Sequence, residues 1–101
     1  MKYRINEMLD QPELLAMLAE EASELAKAAL KLRRAIDGTN PTPVSIQEAV
    51  IALNEEIADV NLCLDQISCV DFDEIMAVMK RKQARWIVRL LEMEADDGAD
   101  Q

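Results

Sequence analysis

The chain has no histidine, only two glycines and only three aromatic residues among its 101 positions. Without histidine it lacks the commonest general base and the commonest ligand of transition metals. Scarce glycine and aromatic residues argue against a sheet protein, because strands favour β-branched and aromatic side chains and hairpins need turn glycines. Any catalysis must therefore use carboxylates together with oxygen-binding metals such as Mg²⁺ or Mn²⁺.

Basic charge and long apolar runs are also scarce. The chain has 20 acidic and 11 basic residues, for a net charge of -9. Because a groove for polymeric nucleic acid needs positive charge, we expect no nucleic-acid partner. With no long apolar run and no signal peptide, we expect no membrane partner and a cytoplasmic location.

The two cysteines, Cys63 and Cys69, lie six residues apart in a predicted helix. Their separation along the helix axis is then roughly 9 Å, which is too far for a disulfide. We interpret both as small core residues of a protein from a reducing compartment.

Strong helix formers dominate the composition, and they predict an all-α protein. We predict helices over about 3–9, 12–36, 46–68 and 72–93. Gly38 marks the end of the second helix, and Ser45 and Asp71 have the positions of N-terminal caps. The length fits one domain, which we place at 1–94, followed by a disordered acidic tail at 95–101.

Each long helix is predicted to carry an apolar stripe. The stripes comprise Leu14, Leu18, Ala22, Leu25, Ala29, Leu32 and Ile36; then Ile46, Val50, Leu53, Ile57, Val60 and Leu64; and last Phe72, Ile75, Met79, Trp86, Leu90 and Met93. Charged residues interrupt them, since Glu21 falls inside the first, Glu56 borders the second and Lys82 lies within the third. We interpret Trp86 as a core residue.

The third helix has a second apolar strip on its other side, formed by Ile51, Ala58 and Leu62. A helix that is apolar on both sides is usually buried on both sides. In a chain this short, the second strip predicts an oligomer built through helices.

Two acid-x-x-acid pairs carry the possible chemistry, Glu21 with Glu24 and Glu56 with Asp59. Residues three apart are neighbours on one helix face. If the two helices pack antiparallel, the four carboxylates can converge and would then need a cation such as Mg²⁺. The alternative interpretation is a solvated acidic face that binds nothing.

The sequence LAEEASEL at 18–25, followed by NEEIADV at 54–60, resembles the paired EExxE and EExxD motifs of the MazG-like, all-α nucleoside triphosphate pyrophosphatase superfamily. The segment KQAR at 82–85 resembles the K-x-x-R of the family's last helix. The resemblance covers about 14–89 in the right order. It implies a four-helix, bundle-like fold in a compact single-domain form that assembles as a homodimer or homotetramer.

The resemblance also implies roles for individual residues. Glu21, Glu24, Glu56 and Asp59 would bind Mg²⁺, or Mn²⁺ in its place. Glu24 and Glu56 would be the catalytic carboxylates, with Glu24 alternatively orienting or deprotonating the attacking water. The expected reaction is attack of water on the α-phosphorus of an NTP or dNTP, with pyrophosphate leaving.

The phosphate-binding residues implied by the resemblance are Lys82 and Arg85, which would offset charge on the phosphate oxygens. Two other interpretations stay open. One is a non-catalytic acidic helical module for oligomerisation or protein interaction. The other is an enzyme like phosphoribosyl-ATP pyrophosphohydrolase, which belongs to the same superfamily.

Overall fold

The computed structural model describes residues 4–39 and 44–99, and these residues form four helices and no strand. The helices are α1 (Ile5–Met8), α2 (Gln11–Asp37), α3 (Ile46–Gln66) and α4 (Phe72–Ala99). The predicted all-α class is confirmed. Residue 3, at the expected start of the first helix, lies outside the described residues.

The chain divides into two compact units, Met1–Val70 and Asp71–Gln101, and each is described by itself. The first unit contains α1, α2 and α3, and the second contains α4. The expectation of a single domain over 1–94 stays a prediction. No helix among the described residues is both long enough and apolar enough to cross a membrane.

Helix α2 is capped at both ends, and Gly38 ends it as predicted. The Asp10 side chain accepts a hydrogen bond of 2.9 Å from the backbone N–H of Glu13. At the other end Gly38 adopts the left-handed conformation, with φ of 77°, and its N–H donates to the carbonyl of Arg34. Glycine is suited to this position because it has no Cβ to clash in that conformation.

Helices α3 and α4 begin at the two predicted caps. The Ser45 hydroxyl accepts from the N–H of Glu48 at 3.0 Å. The Asp71 carboxylate accepts from the N–H of Glu74 at 3.1 Å. Each cap satisfies one of the backbone donors that a helix start leaves without a partner.

Helix α3 ends at Gln66, two residues before the predicted end. The side chain of Gln11, at the start of α2, explains the early end. Its amide nitrogen donates to the Gln66 carbonyl at 3.3 Å, and its oxygen accepts from the N–H of Ser68 at 2.9 Å. These bonds satisfy backbone groups that another helical turn would have used. Cys69 therefore lies beyond α3, where it is exposed, and its predicted core position is wrong.

Helices α2 and α3 pack against each other as an antiparallel hairpin, with Gln11 near Gln66 and Glu21 near Glu56. The buried apolar positions of the described residues are Leu14, Ala28, Ala49, Cys63 and Ile67. Small side chains dominate this set, and they let two helix backbones approach closely.

The contact faces of the hairpin are rotated from the predicted stripes. Ala22, Ala29 and Ile36 of α2, and Ile46, Val50 and Ile57 of α3, are exposed instead of buried. The α3 face is centred on Ala49, Glu56 and Cys63, because small residues fit between closely packed helices better than branched ones. Because of this rotation, Glu56 lies deeper in the interface than its predicted position at the border of the stripe.

Helix α4 extends to Ala99, six residues beyond the predicted end at Met93. Residues 95–99 of the expected disordered tail are therefore helical, and 100–101 lie outside the described residues. Ala and Glu favour the helix here, and a lone glycine costs only about 1 kcal/mol. The predicted apolar face is exposed, with Trp86 at 66% and Met93 at 62%, so the interpretation of Trp86 as core is wrong.

Candidate metal centre

Three of the four predicted carboxylates converge across the hairpin. Glu21 of α2 and both Glu56 and Asp59 of α3 each place one oxygen within 4.8 Å of the others. Glu21 and Glu56 are half-buried, whereas Asp59 is exposed. The cluster, called the acidic triad below, is thus open to solvent on one side and enclosed by the two helices on the other.

The local sequence explains this convergence. Glu56 and Asp59 are three residues apart on α3, so they lie on the same face of that helix. Glu21 lies in the α2 face that packs on α3, between the half-buried Leu18 and Leu25. Because the hairpin is antiparallel, α2 presents its single acid to the pair on α3.

The acidic triad has a strongly negative environment. Burial raises the pKa of Glu56 above its ordinary value, and the negative charges of Asp59, Glu21, Glu24 and Glu55 raise it further, in that order. Across residues 4–39 and 44–99 the ion pairs are Arg4–Glu7 and Lys27–Glu24, and neither includes a triad carboxylate. A cation or a proton would relieve this repulsion.

Glu24 lies outside the triad. Its carboxylate accepts a hydrogen bond of 3.2 Å from the Lys27 ammonium, and both side chains are largely exposed. Its charge still contributes to the raised pKa of Glu56, so the two groups interact electrostatically. An exposed pair on one helix face contributes only about 0.2–0.5 kcal/mol, and a small gain elsewhere would release Glu24.

The predicted phosphate-binding residues lie on α4, in the second unit. Lys82 and Arg85 are both exposed. Lys82 lines a shallow surface groove of that helix together with Met79, Gln83, Trp86, Ile87 and Leu90. Because the acidic triad belongs to the first unit, the joint action of Lys82, Arg85 and the triad stays a prediction.

An open cavity of about 170 Å³ adjoins the triad. Its lining consists of Ile5, Leu14, Met17, Glu21, Asp59, Leu62, Cys63 and Gln66. Most of its surface is apolar, and two triad carboxylates stand at its edge. Periodicity within one helix carries no signal for a cavity shared by three helices, so Ile5, Met17 and Gln66 were not predicted as lining residues.

Cys63 supplies part of the cavity wall and is buried. Burial raises the pKa of its thiol, and the charges of Glu21 and Asp59 raise it further. The thiol is therefore protonated at neutral pH, so it acts as a small apolar wall and not as a nucleophile or a metal-binding thiolate.

The residues of the triad fit a hard divalent cation. All three donors are carboxylate oxygens, which Mg²⁺ and Mn²⁺ prefer. Ligands of one Mg²⁺ stand at most about 4.2 Å apart, because each lies about 2.1 Å from the ion. The triad oxygens lie within 4.8 Å of one another, which is of the same order as this separation. Exposure on one side leaves space for water and phosphate.

Comparison of the chain with models of known protein families, with curated proteins and with solved structures gave no match. The family resemblance therefore rests on the two acidic motifs and the K-x-x-R segment alone. The acidic triad is a separate observation, since it depends on helix packing and not on the likeness of the motifs.

Proposed function

We propose that this chain is an Mg²⁺-dependent nucleoside triphosphate pyrophosphohydrolase of the MazG-like, all-α kind. It would convert an NTP or dNTP to the monophosphate and pyrophosphate. The observation that supports this best is the acidic triad, because one residue from the first motif meets two from the second across an antiparallel hairpin. The proposal includes the bundle-like fold of that superfamily.

In this proposal Glu21, Glu56 and Asp59 hold the divalent ion, which can be Mg²⁺ or Mn²⁺. When bound, such an ion offsets the charge of the triphosphate and lowers the pKa of a coordinated water. Glu24 is exposed and lies outside the triad, which suits a group that orients or deprotonates the attacking water. Lys82 and Arg85 bind phosphate oxygens and stabilise the charge that develops there.

In this proposal the nucleoside part of the substrate binds in the cavity beside the triad. Its apolar wall of Leu14, Met17 and Leu62 suits a base or a sugar edge, and Gln66 offers a donor and an acceptor. Its volume of about 170 Å³ is below the roughly 300–1,000 Å³ of most ligand pockets. The cavity would therefore hold only part of the nucleotide, and a second subunit of a homodimer or homotetramer would complete it.

A cytoplasmic location belongs to the same proposal. Both cysteines are free thiols, which suits a reducing compartment. Nucleoside triphosphates would then be available to the acidic triad without passage across a membrane.

The deciding experiment measures pyrophosphate release from all canonical NTPs and dNTPs, and from phosphoribosyl-ATP, with Mg²⁺, with Mn²⁺ and with chelator. The proposal expects metal-dependent pyrophosphate and an equal amount of monophosphate. Inorganic phosphate as the product would place the attack at the γ-phosphorus and contradict the proposal. Turnover of phosphoribosyl-ATP alone would assign the chain to that branch of the superfamily.

A non-catalytic helical module is the second candidate function, and the exposed apolar residues favour it. Leu62 and Ile51 of α3 and Trp86 of α4 are each more than half exposed. Such surfaces commonly mark protein interaction sites. No turnover of any nucleotide, combined with a stable oligomer, would support this candidate over the enzyme.

A further inference from the structure

The cavity beside the acidic triad is layered along the axis of the hairpin. On α2, Met17 lies one helical turn from Glu21 and Leu14 lies two turns from it, both toward the start of the helix. Both residues line the cavity. The cavity therefore extends from the triad toward the end of the hairpin at which Gln11 bonds to Gln66.

Helix α3 lines the cavity in the same order. Leu62 and Cys63 lie one turn beyond Asp59, and Gln66 lies one turn further on. Met17, Leu62 and Cys63 thus form the layer next to the triad, called the first layer below. Their side chains are two apolar groups and a protonated thiol, which is only a weak donor. A side-chain amide, that of Gln66, lies in the second layer.

The backbone in the described part of the hairpin adds no free N–H to the first layer. Residues 17, 62 and 63 lie inside α2 and α3, where each N–H is bonded to the carbonyl four residues before it. A polar group of a ligand that enters this layer therefore gives up water without a strong partner in return. The first layer favours an apolar part of a ligand.

The sugar of a bound nucleotide belongs in the first layer. This placement rests on the proposed function, in which the phosphates bind at the triad. The sugar ring follows the α-phosphorus by one oxygen and one methylene carbon, a reach comparable with one helical turn of about 5.4 Å. The base follows the ring and lies in the second layer, beside Gln66.

The two hydroxyls of a ribose would meet different surroundings. The 3′-carbon adjoins the carbon that bears the phosphate arm, so its hydroxyl lies toward the triad, where Glu21 and Asp59 can accept a hydrogen bond. The 2′-carbon adjoins the carbon that bears the base, so its hydroxyl lies against Met17, Leu62 and Cys63. Only a ribonucleotide has this second hydroxyl, and only a ribonucleotide loses its hydration there.

We propose that the chain selects 2′-deoxyribonucleoside triphosphates over ribonucleoside triphosphates, and that Met17 and Leu62 determine this preference. The cavity is open on one side, so a 2′-hydroxyl keeps part of its water and the preference is moderate. We expect at least about tenfold in kcat/KM, which corresponds to ~1.4 kcal/mol.

The first test measures kcat/KM with Mg²⁺ for four matched pairs, dATP with ATP, dGTP with GTP, dCTP with CTP and dUTP with UTP. The deoxynucleotide should be preferred in every pair that reacts. Equal values, or a preference for the ribonucleotide, would overturn this inference and leave the proposed function standing. Turnover of no nucleotide would contradict the proposed function and this inference with it.

Calorimetric titration gives a readout that needs no turnover. The hydrolysis-resistant α,β-imido analogues of the same four pairs are titrated into the full chain with Mg²⁺. The deoxy analogue should bind at least about tenfold more tightly than its ribose counterpart, since the lost hydration already acts in the bound state. Equal dissociation constants within every pair would place the sugar outside the first layer and overturn the proposal.

Two substitutions test the residues that determine the preference. Leu62→Gln and Met17→Gln each place an amide, which both donates and accepts, in the first layer. Each should raise kcat/KM for the ribonucleotide and lower the deoxy-to-ribo ratio at least about threefold, as one regained hydrogen bond allows.

Ile51→Gln is the matched control for Leu62→Gln. Both residues lie on α3 in the second apolar strip, and they are 53% and 55% exposed, but Ile51 does not line the cavity. Any effect on assembly should therefore be shared, whereas the deoxy-to-ribo ratio should stay unchanged in Ile51→Gln. An unchanged ratio in both Leu62→Gln and Met17→Gln, or an equal change in Ile51→Gln, would overturn the proposal.

Discussion

Glu21 on α2 and Glu56 on α3 face each other across the hairpin, both half-buried, with one oxygen of each within 4.8 Å. Asp59 completes the group from the exposed side. Two carboxylates at this distance repel each other, and partial burial weakens the solvation of their charges. The fold therefore carries a local cost at neutral pH that a divalent cation or a proton would remove.

Millimolar Mg²⁺ should raise the melting temperature of the chain. A ligand that binds only the folded state at about ten times its dissociation constant adds ~1.4 kcal/mol. In a domain of this size each kcal/mol corresponds to about 4–8 °C. Differential scanning fluorimetry with Mg²⁺, and with NaCl at equal ionic strength, measures the specific effect. Equal melting temperatures in the two salts would argue against the metal centre.

In the proposed enzyme, replacing Glu56 by Gln should abolish turnover without changing the oligomeric state. The substitution keeps the size of the side chain but removes one carboxylate, a proposed metal ligand, from the triad. We expect a loss of at least about 100-fold in kcat, which corresponds to ~2.7 kcal/mol of transition-state stabilisation. Glu55→Gln is the matched control, because Glu55 is the exposed neighbour outside the triad. Full activity of the Glu56 variant would remove this residue from the site.

The pH dependence of stability should show the raised pKa of Glu56. Its ordinary value is 4.5, so in the absence of metal the folded state binds more protons than the unfolded state just above that pH. The contribution of Glu56 to stability therefore falls as the pH rises from about 4.5 through the raised pKa. Above that range the charged, half-buried carboxylate destabilises the fold.

Glu56→Gln isolates this contribution. Without metal, the variant should unfold at a higher urea concentration than the wild type at pH 7, and the difference should shrink toward pH 4. Mg²⁺ should reduce this difference in unfolding urea concentration at pH 7, because it stabilises the wild type alone. A metal-free variant that is less stable than the wild type at pH 7 would contradict this account of the triad.

The sequence predicted the capped ends of helices better than it predicted the contact faces of the helices. Gly38, Ser45 and Asp71 act locally, because each bonds to backbone within four residues, and all three predictions are confirmed. The hairpin face is set by close packing of two helices, which selects small residues such as Ala49. An apolar stripe on one helix contains no information about how closely a neighbouring helix packs against it.

The candidate site was predictable in part for the same reason. The spacing of Glu56 and Asp59 fixes them on one face, and an antiparallel hairpin brings Glu21 to them. Glu24 lies outside the triad, and in the structure its carboxylate accepts a hydrogen bond from Lys27 instead. The exposure of Trp86 was missed because an apolar stripe predicts burial without showing which molecule covers it.

Gln11 should stabilise the end of α3 as well as the first turn of α2, in which it lies. Its half-buried amide joins the start of α2 to the end of α3 through Gln66 and Ser68. Gln11→Ala would remove both bonds, which are part-buried and exposed, and a hydrogen bond of this kind contributes about 0.5–1.5 kcal/mol to stability. The substitution would also let α3 fray next to the cavity, which Gln66 helps to line.

Gln47→Ala is the control for this prediction, because Gln47 also lies in the first turn of a helix but is exposed. Both substitutions gain the same small amount of helix propensity, so their difference reports the link between α2 and α3. Urea unfolding should give a lower midpoint for Gln11→Ala at an unchanged slope. If the two variants have the same midpoint, the Gln11 bonds are no stronger than those the unfolded chain makes with water.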